Sequence, residues 1–380
     1  MKKKLLFVIT QFYKGGAEVS LLNLFKNLDK NKYDIDFVIL NQNVMSDVES
    51  LVDKIPDWIH IYDVYKVEKK NIYDCVIKKI YRKLFKADTS GRESKRLLKN
   101  KKYDVAFSYG EWLSPRFVTK NICAKKKYIW IHIDIDKANF VNKSLLTKYD
   151  LEITGYIFPS NTTEKAAVAA CPTMKRKTHV IHNFIDISQI MDMSNESIGE
   201  IKSLQPYLLS VGNLRVEKNY LRQIEIMHIL KKRACNVKWI CIGSTVNEKV
   251  YKEARELIAK YGLENDFILY GANDNPYKYM KYAEAVMVLS DYESWSLVIS
   301  EAKILNVPVI ATNTSGAQEQ IVNGKNGIIT SFDKYQIADT IQSFLNDSSL
   351  HLNIISNLKM ENKKLQIGKS EFERLVDDDI

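Results

Sequence analysis

Short apolar runs rich in β-branched and aromatic residues alternate along the chain with stretches whose apolar positions recur at helical spacing. That alternation predicts βαβ units, with parallel sheets covered by helices on both faces. Two sets of strands are expected. The first comprises LLFVIT (5–10), DIDFVIL (34–40), IHIY (59–62), DVAFSY (104–109), KYIWIHI (127–133) and YIFPS (156–160). The second comprises YLLSVG (207–212), VKWICIG (237–243), FILYG (267–271), AVMVLS (285–290) and VPVIAT (307–312). Residues 184–206 between them read as polar and irregular, ending at Pro206, where a helix cannot continue. The expected fold class is therefore α/β, two Rossmann-like domains facing across a cleft. The first spans 1–190 and the second 191–380, with the last helix a candidate to pack back on the first domain. No short-period repeat or low-complexity tract interrupts this pattern.

Length and composition agree with it. At 380 residues the chain exceeds what one hydrophobic core usually fills. Its 46% hydrophobic and 27% charged residues suggest neither general disorder nor a membrane-embedded body. The opening MKKKLLFVIT begins like a leader, but its apolar run stops at Gln11 with no small-residue cleavage site, so it is read as the first strand. No apolar run approaches the roughly 18 residues that would cross a bilayer. The five cysteines are far apart and form no C-x-x-C, which points away from disulfides and zinc and toward a reducing, cytoplasmic setting.

The charge is uneven. Residues 66–102 hold fourteen Lys or Arg against four acids, matching the whole net charge of +10. From Ile72 onward, Ile72, Val76, Ile80 and Leu84 share a helical face with Tyr73, Ile77, Tyr81 and Phe85, while Lys78, Lys79, Arg82, Lys83 and Lys86 fill the other. Two readings stay open: a helix lying against an anionic membrane surface, or a core-packing helix with a solvated basic face. No nucleic-acid-binding module accompanies the charge.

The densest candidate chemistry lies in LSDYESWSLVISEAKILNVPVIAT (289–312), where Glu293 and Glu301 stand in an E-x7-E spacing. Glu293 falls in the loop after a strand, Ser294 and Ser296 are suited to cap the helix that follows, and Glu301 falls within it. A helix opening just past a strand's C-terminal end offers unpaired N–H groups to a diphosphate. Carboxylates on either side of it can bind sugar and ribose hydroxyls. In the first half, Gly15 and Gly16 follow the first strand and open a helix (Val19, Leu22, Phe25, Leu28), where a missing Cβ lets backbone approach a ligand. The absence of G-x-G-x-x-G counts against a nicotinamide or flavin enzyme.

These motifs, with GGAE (15–18), WIH-x-D (130–134), IHNFID (181–186), SVGNLRVEKN (210–219) and TSGAQEQIVNGKNGII (314–329), resemble over nearly the whole chain the retaining glycosyltransferases of family 4, which have the GT-B fold. The resemblance implies a nucleotide-sugar donor, UDP- or GDP-linked, a glycan or lipid-linked acceptor, and a place in bacterial surface polysaccharide assembly such as capsule or lipopolysaccharide. It implies no metal or other cofactor, so the D-x-D spacing at Asp134 and Asp136 is taken as part of the WIH segment. Residue by residue, it implies Glu293 on the donor sugar and Glu301 on the ribose. The backbone amides of Ser296 and Leu297 would face the diphosphate, with Lys218 on the leaving phosphates. Gly16 would lie beside the donor phosphate and His132 in the sugar site. The family's usual Arg after the motif glycine is replaced here by Asn213, and Arg215 is the nearest cation to take its place. Glu111 and Trp112, beyond another strand end, are candidates to shape the acceptor site. The protein is expected on the cytoplasmic side, against the inner face of the membrane if the basic segment binds lipid. Two other readings remain: a non-catalytic partner subunit that keeps the fold, and a sugar-nucleotide epimerase of the same fold.

Overall fold

The structure, a computed structural model, describes residues 2–42, 49–64, 98, 100–111, 113–133, 135, 141, 143–245, 247–362 and 369–377. Trp112, Asp134, Asp136 and most of the basic segment 66–102 lie outside them. Of that segment's cations, Lys101 pairs with Asp36 at 2.8 Å. The chain divides into two units, Met1–Phe184 with Ile367–Ile380, and Ile185–Gln366.

The first unit is built on seven strands, β1 (Lys3–Ile9), β2 (Tyr33–Ile39), β3 (His60–Asp63), β4 (Tyr103–Tyr109), β5 (Ala124–Trp130), β6 (Gly155–Phe158) and β7 (Thr178–Val180). They pair in parallel in the order β3-β2-β1-β4-β5-β6-β7. Side chains alternate between faces along a strand, and here both faces are buried. Leu5, Phe7 and Ile9 enter one core with Phe25, Phe107 and Trp130, while Leu6 and Val8 enter the other with Ala106, Ile129 and Tyr156. The helix Lys369–Asp377 belongs to this unit and sends Phe372, Leu375 and Val376 into the first of these cores.

The second unit has six parallel strands, β8 (Tyr207–Val211), β9 (Lys238–Ile242), β10 (Phe267–Gly271), β11 (Ala285–Val288), β12 (Val309–Thr312) and β13 (Ile328–Thr330), in the order β10-β9-β8-β11-β12-β13. Leu208, Trp239 and Met287 face one core, and Leu209, Ile240 and Val288 face the other.

Each sheet reverses direction of growth at its first strand: β1 lies between β2 and β4, and β8 lies between β9 and β11. The loops leaving the C-terminal ends of such a pair diverge to opposite faces and leave a crevice, the usual ligand position in open α/β sheets. In the first unit these loops carry Gly15 and Glu111. In the second they carry Gly212 to Lys218 and Ser290 to Glu293.

Three expectations are corrected. The segment 184–206 is not irregular, because it holds the helix Ile187–Ser194, capped by the Asp186 side chain on the Gln189 amide (3.0 Å), and a 3-10 turn over Gly199–Leu204. The division expected at 190 would fall inside that helix, whereas the units meet at Phe184 and Ile185. The KYIWIHI strand stops at Trp130, so His132 sits in the coil beyond it. The three-residue strands β7 and β13 were not foreseen. Among the described residues no helix is long and apolar enough to cross a membrane.

Candidate active site

In the second unit β8 ends at Val211, and the chain passes through Gly212 at φ +145°, a conformation open to glycine and costly for other residues. Gly212 lies against Gly243 at the end of β9: a Cβ on Gly243 would fall 1.8 Å from the Gly212 carbonyl oxygen. Two glycines thus let the loops after neighbouring strands touch through their backbones. Asn213 secures the same junction, its Oδ1 accepting the Ser244 amide (3.2 Å), and the Tyr220 hydroxyl donates to the Gly212 carbonyl (2.6 Å). The side-chain oxygen of Asn213 therefore serves the loop.

Lys218 closes a 3-10 turn, Val216–Lys218, and is followed by Asn219 in the left-handed region (φ +54°), which asparagine tolerates better than most residues. Its carbonyl is tied to the interior by a buried chain. Gln223 Nε2 donates to it (2.9 Å), the Ser210 hydroxyl donates to Gln223 Oε1 (2.7 Å), and Trp239 Nε1 donates to Ser210 (3.0 Å). Each buried polar group here has its partner, which is what makes such a chain stiff.

The Lys218 ammonium is in direct contact with Glu293 Oε1, an ion pair across 75 residues of sequence, and the Ser290 hydroxyl donates to the same oxygen (3.0 Å). The Glu293 carbonyl is held from behind by the Gly316 amide (2.8 Å) and the Ser315 hydroxyl (3.1 Å). A Cβ on Gly316 would meet that carbonyl at 2.8 Å, so the TSG motif supplies the one residue that fits. A second tie runs beside it. Asp291 accepts from Arg222 Nη1 (2.8 Å) and Asn219 Nδ2 (2.7 Å), and Arg222 Nη2 donates to the Leu289 carbonyl (2.6 Å). The segments bearing Lys218 and Glu293 are thus clamped by residues that sequence spacing did not single out. Arg215 is largely exposed, with Glu217 3.9 Å away.

The helix Leu297–Ile304 opens where expected, with Ser296 at its N-cap position, but the serine hydroxyl makes no capping bond. Gln320 does that work. Its Oε1 accepts the Ser296 amide (2.9 Å), and its Nε2 donates to the Ser296 carbonyl (2.9 Å) and the Ser300 hydroxyl (2.8 Å). The Ser296 amide is thus engaged within the protein, while Leu297 begins the first turn, whose N–H groups have no intrahelical acceptor. Glu301 lies within the helix and accepts from the Tyr277 hydroxyl (3.1 Å). Burial raises its carboxyl to about 7, against the smaller lowering effect of the Tyr277 hydrogen bond.

In the first unit Gly15 caps the helix Gly16–Asn27, and Gly16 is exposed at its first position. Tyr109, at the end of β4, donates to the Ala17 carbonyl in that helix's first turn (3.0 Å). His132 packs its ring on Trp130 (centroids 6.0 Å apart, 7° between planes) and on Tyr109 (4.6 Å). Both of its ring nitrogens are shielded from solvent with no hydrogen-bond partner among the described residues. Burial lowers its pKa to about 3, so the ring is neutral. Glu111 Oε2 accepts the His132 amide (3.1 Å), and burial raises its carboxyl above the ordinary range. A neutral imidazole with two idle nitrogens beside a desolvated carboxyl is suited to ligand hydroxyls, which both give and take hydrogen bonds.

Comparison with known proteins bears on both units. The model of the family Glycosyl transferases group 1 matches residues 194–360. The chain is 26% identical over 206 residues to the N-acetylgalactosamine-N,N'-diacetylbacillosaminyl-diphospho-undecaprenol 4-alpha-N-acetylgalactosaminyltransferase of Campylobacter jejuni, covering 53% of this chain and 54% of that protein. It is 30% identical over 156 residues to the capsular polysaccharide biosynthesis glycosyltransferase CapM of Staphylococcus aureus, 40% of either chain. The chain thus spans about half or less of the length of these curated relatives. Among solved structures, Anabaena HepE in complex with UDP-glucose matches with a TM-score of 0.73 at 17% identity over 98% of both chains. TarM of S. aureus, solved with UDP, matches with a TM-score of 0.71 at 16% identity, over 98% of this chain and 99% of that one. At such identities the likeness speaks for the fold, which is GT-B. The match to the group 1 glycosyl transferase family runs through residues 194–360, with Glu293, Glu301 and Lys218 among them.

Proposed function

We propose that the protein is a retaining glycosyltransferase that moves a sugar from a nucleoside diphosphate sugar to a glycan or lipid-linked acceptor in bacterial surface polysaccharide assembly. The observation that carries this reading is the Lys218–Glu293 pair at the C-terminal ends of β8 and β11, in a region matched by the group 1 family. A cation and a carboxylate side by side suit a ligand with a diphosphate next to a polyhydroxylated ring.

The donor's diphosphate takes the place of Glu293 as partner of Lys218, and the freed carboxylate binds hydroxyls of the transferred sugar. Arg215, exposed and only loosely paired, adds a second positive charge. The Leu297 amide at the helix opening adds a dipole of the same sign. These groups stabilise the negative charge that grows on the leaving phosphate as its bond to the anomeric carbon breaks. The acceptor oxygen bonds to that carbon on the same face, and its proton passes to the departing phosphate oxygen. Glu301 binds the ribose hydroxyls. In the first unit, taken by itself, the exposed Gly16 at a helix opening suits a phosphate, and His132 with Glu111 suits sugar hydroxyls. The relatives named for a diphospho-undecaprenol substrate and for capsular polysaccharide biosynthesis favour a lipid-linked or glycan acceptor.

The test is release of free nucleotide from UDP- and GDP-sugars, with and without a membrane extract, run beside Glu293→Ala. Extract-dependent release from one donor that disappears in the variant is the expected result. Silence with every donor, together with no nucleotide binding, would overturn the reading.

A further inference from the structure

We infer that Tyr277 is a positioning residue for nucleotide recognition: its hydroxyl fixes one oxygen of Glu301 and favours the carboxylate form, which can accept hydroxyl hydrogens from the ribose. The inference rests on the proposed donor site and adds a residue outside every motif that suggested it.

The geometry begins with a short, well-anchored turn. Asn275, almost fully buried, donates to the Met193 carbonyl (2.8 Å) and accepts the Lys278 amide through Oδ1 (3.4 Å). Pro276 starts the turn, and its carbonyl accepts the Tyr279 and Met280 amides (3.1 and 2.9 Å). Tyr207, on β8, donates its hydroxyl to the Tyr279 carbonyl (2.6 Å), which ties the turn to the sheet. Tyr277 thus leaves a fixed backbone and reaches the helix Leu297–Ile304, where its hydroxyl meets Glu301 Oε1 at 3.1 Å.

The surroundings make that single bond consequential. Tyr277 and Val298 pack against the core formed by Ile190, Met280, Ile299 and Ala302, so Glu301 sits in apolar company. Among the described residues no cation pairs with Glu301. The titratable groups facing the pair are Tyr277, from the turn after β10, and Asp186, which caps the helix Ile187–Ser194 and disfavours ionisation of Tyr277. The tyrosine therefore stays a hydrogen-bond donor, and Glu301 has one donor where an ion in such a setting needs several. A protonated Glu301 would present one hydroxyl of its own and could no longer accept from both members of a ribose diol. Tyr277 opposes that protonation while leaving Oε2 to the ligand.

The experiment is the affinity of UDP, and of GDP in parallel, measured calorimetrically from pH 5.5 to 8.5 for the whole protein, for Tyr277→Phe and for Glu301→Gln. In the unmodified protein binding should weaken as pH falls through the Glu301 transition near 7. Tyr277→Phe removes a hydrogen bond to the ionised form, so the midpoint should move up by about one pH unit. Affinity at pH 8.5 should change little. Glu301→Gln should lack this transition, leaving the ionisation of the nucleotide itself, which is common to all three proteins. An unmoved midpoint in Tyr277→Phe would overturn the inference, as would loss of its cooperative thermal unfolding, which would assign the ring to packing alone. If the unmodified protein binds neither nucleotide at any pH, the donor-site reading fails first.

Discussion

The two units end their first strands in the same topology but treat their polar groups in opposite ways. In the second unit, the groups at the β8–β11 crevice are engaged with one another: Lys218 with Glu293, Ser290 with Glu293, Gln320 with Ser296 and Tyr277 with Glu301. In the first, the buried imidazole of His132 has neither nitrogen satisfied among the described residues. A site that binds a multiply charged ligand must hold its own charges without one, and pairing them with each other does so. A site that binds neutral hydroxyls can leave a neutral ring idle at the cost of an unmet hydrogen bond, about 1 to 3 kcal/mol.

The sharpest way to break this contrast is to remove one member of the charged pair. Glu293→Ala and Lys218→Ala should each lower transfer by about 100- to 1,000-fold, the scale on which single electrostatic groups act at a transition state. The fold should be retained with a modest loss of thermal stability, since the partner left unpaired is only partly exposed, at 27% for Lys218 and 14% for Glu293. Full turnover in either variant would remove that pair from the chemistry.

Next in size is the backbone contact beneath the second site. Gly243→Ala would force a Cβ onto the Gly212 carbonyl and should destabilise the protein by about 3 kcal/mol or more, measured by urea unfolding. The comparison in the first unit is Gly15→Ala, whose Cβ would crowd the carboxylate at the far end of the Glu18 side chain rather than backbone. Its cost should be about 1 kcal/mol or less.

The units should also answer pH in opposite senses. His132 has a folded value near 3, below its ordinary 6.5, so in this interval the unfolded chain binds a proton that the folded one refuses. Stability should therefore rise with pH from 3 to 6.5, by at most about 1.4 kcal/mol per pH unit, and His132→Phe should flatten this limb. Glu301, near 7 against an ordinary 4.5, keeps a proton that the unfolded chain has lost. Its contribution to stability is present below 4.5 and declines as pH rises to 7. Glu301→Gln should remove that decline, visible as a smaller difference between urea midpoints at pH 5 and pH 7.5.

Much of this was legible in the sequence. Apolar runs such as DIDFVIL and FILYG announced strands because both faces of a parallel strand are buried, and their ends agree with the structure to within a few residues. E-x7-E placed a carboxylate on either side of a helix opening. What stayed hidden depends on contacts between distant segments. Nothing local marks Gln320 as the group that brackets Ser296, or Arg222 as the clamp on Asp291. Tyr277 lies in a run of tyrosines and lysines, PYKYMKY, with no helical or strand period to set it apart. The serine at the helix opening suggested a side-chain cap by residue type alone, yet a glutamine 24 residues on took the backbone instead. The helix after Phe184 was missed because it is short, eight residues, and its polar positions outweighed the Asp186 cap.

The helix Lys369–Asp377 carries a consequence for how the chain acquires its structure during synthesis. Its Phe372 completes an aromatic cluster with Phe7, Phe107 and Trp130, yet the whole of residues 185–366 emerges from the ribosome in between. At elongation rates of roughly 5 to 20 residues per second that interval lasts on the order of ten seconds or more. For that time the N-terminal sheet carries an apolar groove awaiting its last helix, while the C-terminal sheet has all its own elements and can fold to completion.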